Sequence, residues 1–270
     1  IRTWFRQQLP IHLSEAQADE DIEAFEFDHL SRYQLSDRLL GPLARRPDLH
    51  RVQREGKFPL GPVGVKIWDT LGEELATLEQ AITDLPGGKD PALEVEARFL
   101  DFPEIGVRLG GSIRHLRGSD AGPTGMLLVR PGRIRSVDIA RIALERALLP
   151  PSQAARPSAS VLGFGEGRAV VCYTLAEFAN EREWIEKLLG WYMRGMRQPV
   201  HAFPNCAQAF AEAWVKGKGA SPSQAAEKAW LEGEYPEGID AFNALISRHR
   251  GEAVLDEQFE AFASEVYVPL

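Results

Sequence analysis

The stretch from Gly125 to Ser136 reads GMLLVRPGRIRS and decides the fold. Its apolar part, Met126–Val129, has the length and composition of a strand. Pro131-Gly132 then predicts a type II turn, because proline sets φ at the second turn position and glycine accepts a positive φ at the third. Ser136 is the predicted N-cap of a following helix, since its hydroxyl can accept a hydrogen bond from a first-turn N–H. The stretch therefore predicts a strand, a tight turn and a helix.

Other segments with strand character surround this unit. Leu93–Phe99 alternates apolar and charged residues, which is the period of a half-buried strand. Four more segments have strand length: Gly106–Leu109, Ser112–Leu116, Val161–Gly165 and Arg168–Tyr173. Gly110-Gly111 predicts a turn between the first two of these, and Glu166-Gly167 joins the last two.

Helices are predicted on both sides of the strands. Apolar residues recur every three or four positions from Val65 to Ile82, which is typical of an amphipathic helix, and Pro86-Gly87-Gly88 ends it. Similar spacing occurs from Leu30 to Leu43 and again after Tyr173. The order predicts an α/β (α+β) fold in which a mixed sheet is flanked by helices. We divide it into a helical segment over 1–90, a sheet core with a crossover helix over 91–175 and a second helical segment over 176–270, all in one compact domain.

The composition is that of an ordinary globular protein, with 270 residues, 44% of them hydrophobic and 26% charged. No apolar run approaches the roughly 18 residues of a membrane helix. Cys172 and Cys206 are isolated from each other and from histidines at ligand spacing, which argues against zinc and for free thiols in the cytoplasm. Because the chain starts at Ile1 within a polar segment, we expect it to be a piece of a longer protein.

Charge is distributed unevenly along the chain. The net charge is −8, yet the window from Ile105 to Arg146 holds eight arginines and three acids, a balance of +5. The eight are Arg108, Arg114, Arg117, Arg130, Arg133, Arg135, Arg141 and Arg146. A basic face on an acidic body is typical of a DNA-contacting surface. The alternative is a set of arginines that are solvated or paired with acids.

The strand–strand–turn–helix order resembles the core of a metal-dependent nuclease, in which one strand supplies an Asp and the next supplies D/E-x-K. The carboxylates hold Mg²⁺, which activates water, and the lysine stabilises developing negative charge. Here Arg114 stands where the first acid is expected, and Val129 and Pro131 stand in place of the second acid and the lysine. Valine and proline bind no metal, and Arg114 would repel it. The pattern predicts an inactive restriction-endonuclease-like, PD-(D/E)xK fold.

Several residues keep two interpretations at this stage. The DNA-binding candidates are Arg108, Arg114, Arg117, Arg130, Arg133 and Arg135, each of which could instead pair with a carboxylate of a partner. Four acids could form a relocated metal site or could simply face solvent: Glu94, Glu96, Asp101 and Glu104. Asp138 is interpreted as a first-turn helix acid favoured by the helix dipole. His115 could contact DNA or a metal, although a lone histidine on a strand usually does neither. The tryptophans are expected in the core or at an interface.

A family resemblance rests on motifs spread along the chain. They are Trp4-Phe5, LSRYQL at Leu30–Leu35, GKFPLG at Gly56–Gly61, Trp68, Leu188, Tyr192, Gly195-Met196, Pro199, Phe203-Pro204, Ala213-Trp214 and the ending from Phe259 to Leu270. In their order and spacing these motifs resemble the carboxy-terminal domain of RecC, the gamma chain of the RecBCD helicase–nuclease (exodeoxyribonuclease V).

The resemblance implies a fold like that of the RecB nuclease domain without its active site. It further implies a non-catalytic role in double-strand-break repair and recombination, in which the domain helps to split or guide DNA and to hold RecB-like and RecD-like subunits in the bacterial cytoplasm. No cofactor is expected in this domain, because Mg²⁺ and ATP would belong to the partner subunits. Two alternatives stay open: an active Mg²⁺-dependent nuclease with relocated carboxylates, and a protein-interaction scaffold that never contacts DNA.

Overall fold

The computed structural model describes residues 27–40, 46–56, 58–93, 95–119, 122–149, 156–175, 180–217, 219, 221–232, 236–248 and 254–270. The helices in these ranges are α1 His29–Leu40, α2 Leu49–Arg54, α3 Gly61–Asp84, α4 Ser136–Ala147, α5 Glu181–Arg197, α6 Pro204–Lys216, α7 Pro222–Leu231, α8 Ala241–Ser247 and α9 Glu257–Phe262. The strands are β1 Val95–Phe102, β2 Val107–Ile113, β3 Leu116–Ser119, β4 Gly122–Arg133, β5 Ala159–Phe164 and β6 Val170–Thr174. Within the described ranges, no helix is long and apolar enough to cross a membrane.

The main sheet has four strands in the order β3-β4-β5-β6, and β1 and β2 form a separate antiparallel hairpin. Strands β4 and β5 are parallel, whereas β3–β4 and β5–β6 are antiparallel. Parallel neighbours need a long crossover, and α4 supplies it. The prediction of a mixed sheet flanked by helices is confirmed.

Both faces of this sheet are covered by helices. Alternate residues of a strand point to opposite faces, so Met126 and Leu128 of β4 pack in the core cluster that contains Ile142 of α4. Leu127, between them, packs on the other face against Leu78 of α3. Burial of each such side chain contributes roughly 1.5–3 kcal/mol. The helix-period residues of α3 and α4 thus bury the strand-period residues of β4 from two sides.

The predicted turn at Gly110-Gly111 is wrong, because β2 runs straight through both glycines. The hairpin instead turns over the 3₁₀ segment Pro103–Ile105, which Gly106 closes with a φ of 65°. Gly110 is paired with Phe99 of β1, and a Cβ there would lie 2.6 Å from the Phe99 ring. The glycine marks a close approach of a neighbouring side chain rather than a change of chain direction.

The predicted type II turn at Pro131-Gly132 is also wrong. Strand β4 continues to Arg133, with an irregular register against β5 between Val129 and Arg133. A Cβ on Gly163 of β5 would lie 2.9 Å from the carbonyl oxygen atoms of Arg130 and Gly132. The irregular part of β4 is therefore packed closely against β5, and the sheet hydrogen bonds outweigh the local turn preference of Pro-Gly.

Helix α4 begins where the sequence predicts, but its first turn is capped differently. Arg135, not Ser136, is the N-cap residue. The Asp138 carboxylate accepts a hydrogen bond from the Arg135 backbone N–H at 3.0 Å, and the Ser136 hydroxyl donates to Asn205 Oδ1 at 2.8 Å. Asp138 is thus a first-turn acid, as the sequence indicated, and Ser136 ties α4 to α6.

Candidate nucleic-acid interface

The strand conformation is interrupted at Arg114-His115, between the end of β2 and the start of β3. Glu145 of α4 holds this break. Its Oε2 accepts hydrogen bonds from the backbone N–H groups of Arg114 at 3.0 Å and His115 at 3.2 Å. The His115 ring also lies against the same carboxylate, with Nδ1 2.9 Å from Oε1.

The charge of Glu145 is set by two opposing effects. Burial alone would raise the pKa of this carboxyl group, but the hydrogen bonds from the His115 ring and from the two backbone N–H groups outweigh burial and lower the pKa. An ionised carboxylate can only accept hydrogen bonds, so His115 Nδ1 carries the proton that faces it. The strand break between β2 and β3 is therefore held by an acid from a helix.

A cleft of about 270 Å³ opens beside the break. Its lining residues are Asp37, Leu40, Ala92, Arg114, His115, Leu116, Arg117, Leu127 and Val129. The structure therefore brings together Arg114 and Val129, two of the three positions where the sequence analysis found metal-site residues replaced. Pro131, the third, is buried further along β4 and does not line the cleft.

Arg130 is an internal side chain, with 14% of its area exposed. Its guanidinium group lies 3.3 Å from the buried Asp138 carboxylate, its Nε donates to the Arg133 carbonyl oxygen at 2.7 Å, and the Tyr33 ring of α1 stacks on it at 4.9 Å. Burial lowers the pKa of Arg130, although the charge of Asp138 opposes this effect. Nε and Nη1 of Arg130 therefore both bind protein groups at the start of α4.

Arg117 is also used within the fold. It lies on β3, and its guanidinium group donates to the carbonyl oxygen atoms of Gly88 at 3.3 Å and Asp90 at 3.1 Å. Burial lowers its pKa, against the attraction of Asp90. This side chain fastens the loop after α3 to the sheet.

The other candidate arginines are exposed at three places. Arg108 lies on the β1–β2 hairpin, over the Phe99 ring and 3.4 Å from Asp101. Arg114 lies at the cleft, where its Nε donates to Ser112 Oγ at 3.3 Å.

The third place is the end of β4 and the start of α4, where Arg133, Arg135 and Arg141 are exposed. Repulsion from Arg135 and Arg141 lowers the pKa of Arg130, so these two lie near it in space. The basic window of the sequence is thus divided into arginines inside the fold and arginines at its surface.

Comparison with known proteins decides the family. A family model for the RecC C-terminal domain matches residues 1–214. The chain belongs to the RecC C-terminal domain family. RecBCD enzyme subunit RecC from Escherichia coli (strain K12) is 24% identical over 227 residues, which cover 80% of this chain and 18% of that protein. The chain therefore spans about a fifth of the length of the curated relative that it matches.

The acids that were considered for a relocated metal site are spread out in this RecC C-terminal domain. Asp101 and Glu104 are exposed at the hairpin end of β1. Glu94 and the side chain of Glu96 lie outside the described residues. Among the residues that are described, no three His, Cys, Asp or Glu side chains come together in a group that could hold a metal ion.

The tryptophans of the domain are mostly internal, as expected. Trp184, Trp191 and Trp230 are buried, whereas Trp68 packs half-buried beside α1. Trp214 differs, since it is 57% exposed and stacks on Phe210 of α6. Trp4 lies outside the described residues.

The sequence analysis missed two residues that shape the site, Glu145 and Tyr33. Glu145 shares one face of α4 with Asp138 and Ile142, at helical spacing, and that face is buried. Acids on the apolar face of a helix need partners, which was the available signal. For Tyr33, the only signal was its position among the helically spaced residues from Leu30 to Leu43.

Proposed function

We propose that this RecC C-terminal domain is a nuclease-like fold without catalytic activity that guides DNA within a RecBCD-type helicase–nuclease. The observation that carries the proposal is the cleft, where Arg114 and Val129 stand in place of metal-binding acids. The β3-β4-α4-β5 arrangement supports an inactive restriction-endonuclease-like core, because it places a strand pair and a crossover helix around that cleft.

The exposed arginines supply the proposed DNA contact. Guanidinium groups match the geometry of phosphate and do not titrate near neutral pH. We assign the contact to Arg114, Arg133 and Arg135, with Arg141 nearby, and assign Arg117 and Arg130 to the fold. Because the whole chain is acidic, binding by the domain alone is expected to be weak and sensitive to salt.

The proposed setting is a repair complex in the bacterial cytoplasm. The E. coli relative is named as a subunit of the RecBCD enzyme, and we infer RecB-like and RecD-like partners for this chain as well. In this proposal Mg²⁺ and ATP act in those partners, and this domain holds neither of them.

A metal-dependent digestion assay tests the absence of catalysis. The purified chain is incubated with linear duplex and single-stranded DNA in Mg²⁺ or Mn²⁺, and no cleavage is expected. Cleavage that disappears on Glu94→Gln, Glu96→Gln or Asp101→Asn would establish a relocated metal site and overturn the proposal. Cleavage that persists in all three variants would point to a contaminating nuclease. A further purification step would then remove the cleavage, and an Arg114→Gln preparation made in the same way would show it at the same level.

A second candidate is a protein-interaction scaffold without DNA contact, favoured by the exposure of Trp214 and of Val215, which is 74% exposed. The double variant Arg133→Glu/Arg135→Glu separates the two candidates in the assembled complex. DNA guiding predicts that strand separation falls while assembly stays normal. Normal strand separation with weakened assembly would favour the scaffold.

A further inference from the structure

We propose that the cleft beside the strand break binds one phosphate group of a nucleic-acid strand between the Arg114 guanidinium and the His115 ring, with uptake of a proton. This inference rests on the proposed function and names the ligand chemistry of the same site. It adds His115 to the arginines that were the DNA-binding candidates.

The first step is the orientation of the two side chains. Arg114 and His115 lie at the strand break between β2 and β3, and both line the cleft together with the two residues that follow them. Glu145 fixes the break through both backbone N–H groups and holds the ring at Nδ1. The remaining polar atom of the ring is Nε2. Glu145 is therefore a positioning residue behind the ring.

The second step is the charge that surrounds the ring. Arg114 and Arg117 contribute two positive charges, while Asp37 of α1 lines the cleft and Glu145 of α4 lies behind the ring. Asp90 adds a third negative charge beside Arg117. Protonation of His115 makes the site more positive and turns Nε2 into a hydrogen-bond donor. An anion and a proton therefore favour each other's binding in the cleft.

The third step is the floor of the cleft. Leu116, Leu127 and Val129 line it with apolar groups, and low-dielectric walls strengthen the attraction between an anion and the guanidinium group. Arg117 acts through its charge, since its guanidinium group already donates to the Gly88 and Asp90 carbonyls. Arg114 is the arginine with exposed area for direct contact.

The experiment follows the histidine rings of the purified 270-residue chain by ¹⁵N NMR during titration. Sulfate is the first probe, because it keeps its charge across the working range. We expect sulfate to shift the His115 Nε2 signal and to bind more tightly at about pH 6 than at pH 8, by up to about tenfold per pH unit if one full proton is taken up.

Three variants sharpen the result. Arg114→Gln should weaken sulfate binding about tenfold, the value of one charge-assisted hydrogen bond. His115→Gln should remove the pH dependence. Arg108→Gln, which removes an exposed arginine elsewhere, should change neither. A thermal melt of each variant shows whether it is folded. Arg114→Gln alters only an exposed side chain, so this variant still tests the inference if His115→Gln unfolds.

The source of the phosphate is separated with oligo(dT) strands that carry or lack a 5′-phosphate. Equal, Arg114-dependent binding of both strands identifies an internal phosphodiester, and preference for the phosphorylated strand identifies a strand end. The inference is overturned if sulfate and both strands bind independently of Arg114 and of pH. In that case loss of strand binding in Arg133→Glu/Arg135→Glu would still support the proposed function, whereas no loss would count against both.

Discussion

Arg114 lies exposed beside the cleft, whereas Arg130, on the next strand of the sheet, has 14% of its side chain exposed. Arg114 makes one side-chain hydrogen bond to Ser112, and Arg130 contacts Asp138, Tyr33 and a backbone carbonyl. The difference shows that a basic stretch of sequence can serve two purposes at once. Arg114 is exposed at the cleft, whereas Arg130 stabilises the start of helix α4.

The cause of the difference is the buried acid on α4. Asp138 is 1% exposed, and an ionised carboxylate with so little contact to water needs a charged partner. Arg130 is positioned to provide it. On α4, Glu145 is turned to the backbone and to the His115 ring, and the acid that lines the cleft together with Arg114 is Asp37 of α1.

The largest expected effect is that of Arg130→Ala. It removes the less exposed of two arginines that pair with the buried Asp138, the other being the exposed Arg135 at 3.8 Å. Loss of one partner of a buried pair costs up to about 3–5 kcal/mol. Chemical denaturation of the variant and of the matched control Arg133→Ala measures this cost. A loss of unfolding free energy below about 1 kcal/mol would show that the Arg130–Asp138 pair contributes no more than a surface pair.

Glu145→Gln should have the next largest effect, about 2 kcal/mol, because a charged acceptor is lost from the strand break. The loss should depend on pH. The pKa of Glu145 is lowered in the folded state, so its stabilisation is fully present above the unfolded pKa and disappears as pH falls through the lower folded pKa. The free energies of unfolding of the unchanged protein and of the Glu145→Gln variant should therefore converge as pH falls from neutral into this acidic range. A constant difference between them would contradict the role of the Glu145 charge at the strand break.

Arg117→Ala should cost about 1 kcal/mol, since two hydrogen bonds to the loop carbonyls of Gly88 and Asp90 are lost in a half-exposed place. The urea midpoint measures the change. Arg108→Ala is the control, because its ion pair with Asp101 is exposed and such pairs contribute little. Equal urea midpoints for Arg117→Ala and Arg108→Ala would show that the hydrogen bonds of Arg117 do not stabilise the fold.

The smallest expected effect on stability belongs to Arg135→Gln and Arg141→Gln. Both side chains are exposed, and the ion pair between Arg135 and Asp138 is long, at 3.8 Å. Removal of their repulsion from Arg130 offsets part of any lost contact. The free energy of unfolding should change by less than about 0.5 kcal/mol for each. A loss comparable to that of Arg130→Ala would show that all three arginines form one structural cluster.

Much of the fold follows from periodicity. The helix α3, the strands around it and the crossover α4 were predictable because their apolar residues repeat at helical or strand spacing. Pro131-Gly132 and Gly110-Gly111 misled the prediction, since local turn preference says nothing about a neighbouring strand or ring that occupies the space beside a glycine.

The site was predictable only in part. Arg114 and Val129 were expected to stand in place of acids, and both line one cleft. The division of the arginines was not visible, because it depends on which acids of α4 face the sheet. The fold alone brings Arg130 to Asp138, and His115 to Glu145.

The most direct test of the central claim is the salt dependence of single-stranded DNA binding by the chain and by Arg133→Gln/Arg135→Gln. Each phosphate contact contributes about 0.7 to the slope of log affinity against log salt. The slope should fall by about 1.4 when the two exposed arginines are replaced, with an unchanged melting temperature. An unchanged slope would contradict the claim that the exposed arginines of this domain hold DNA.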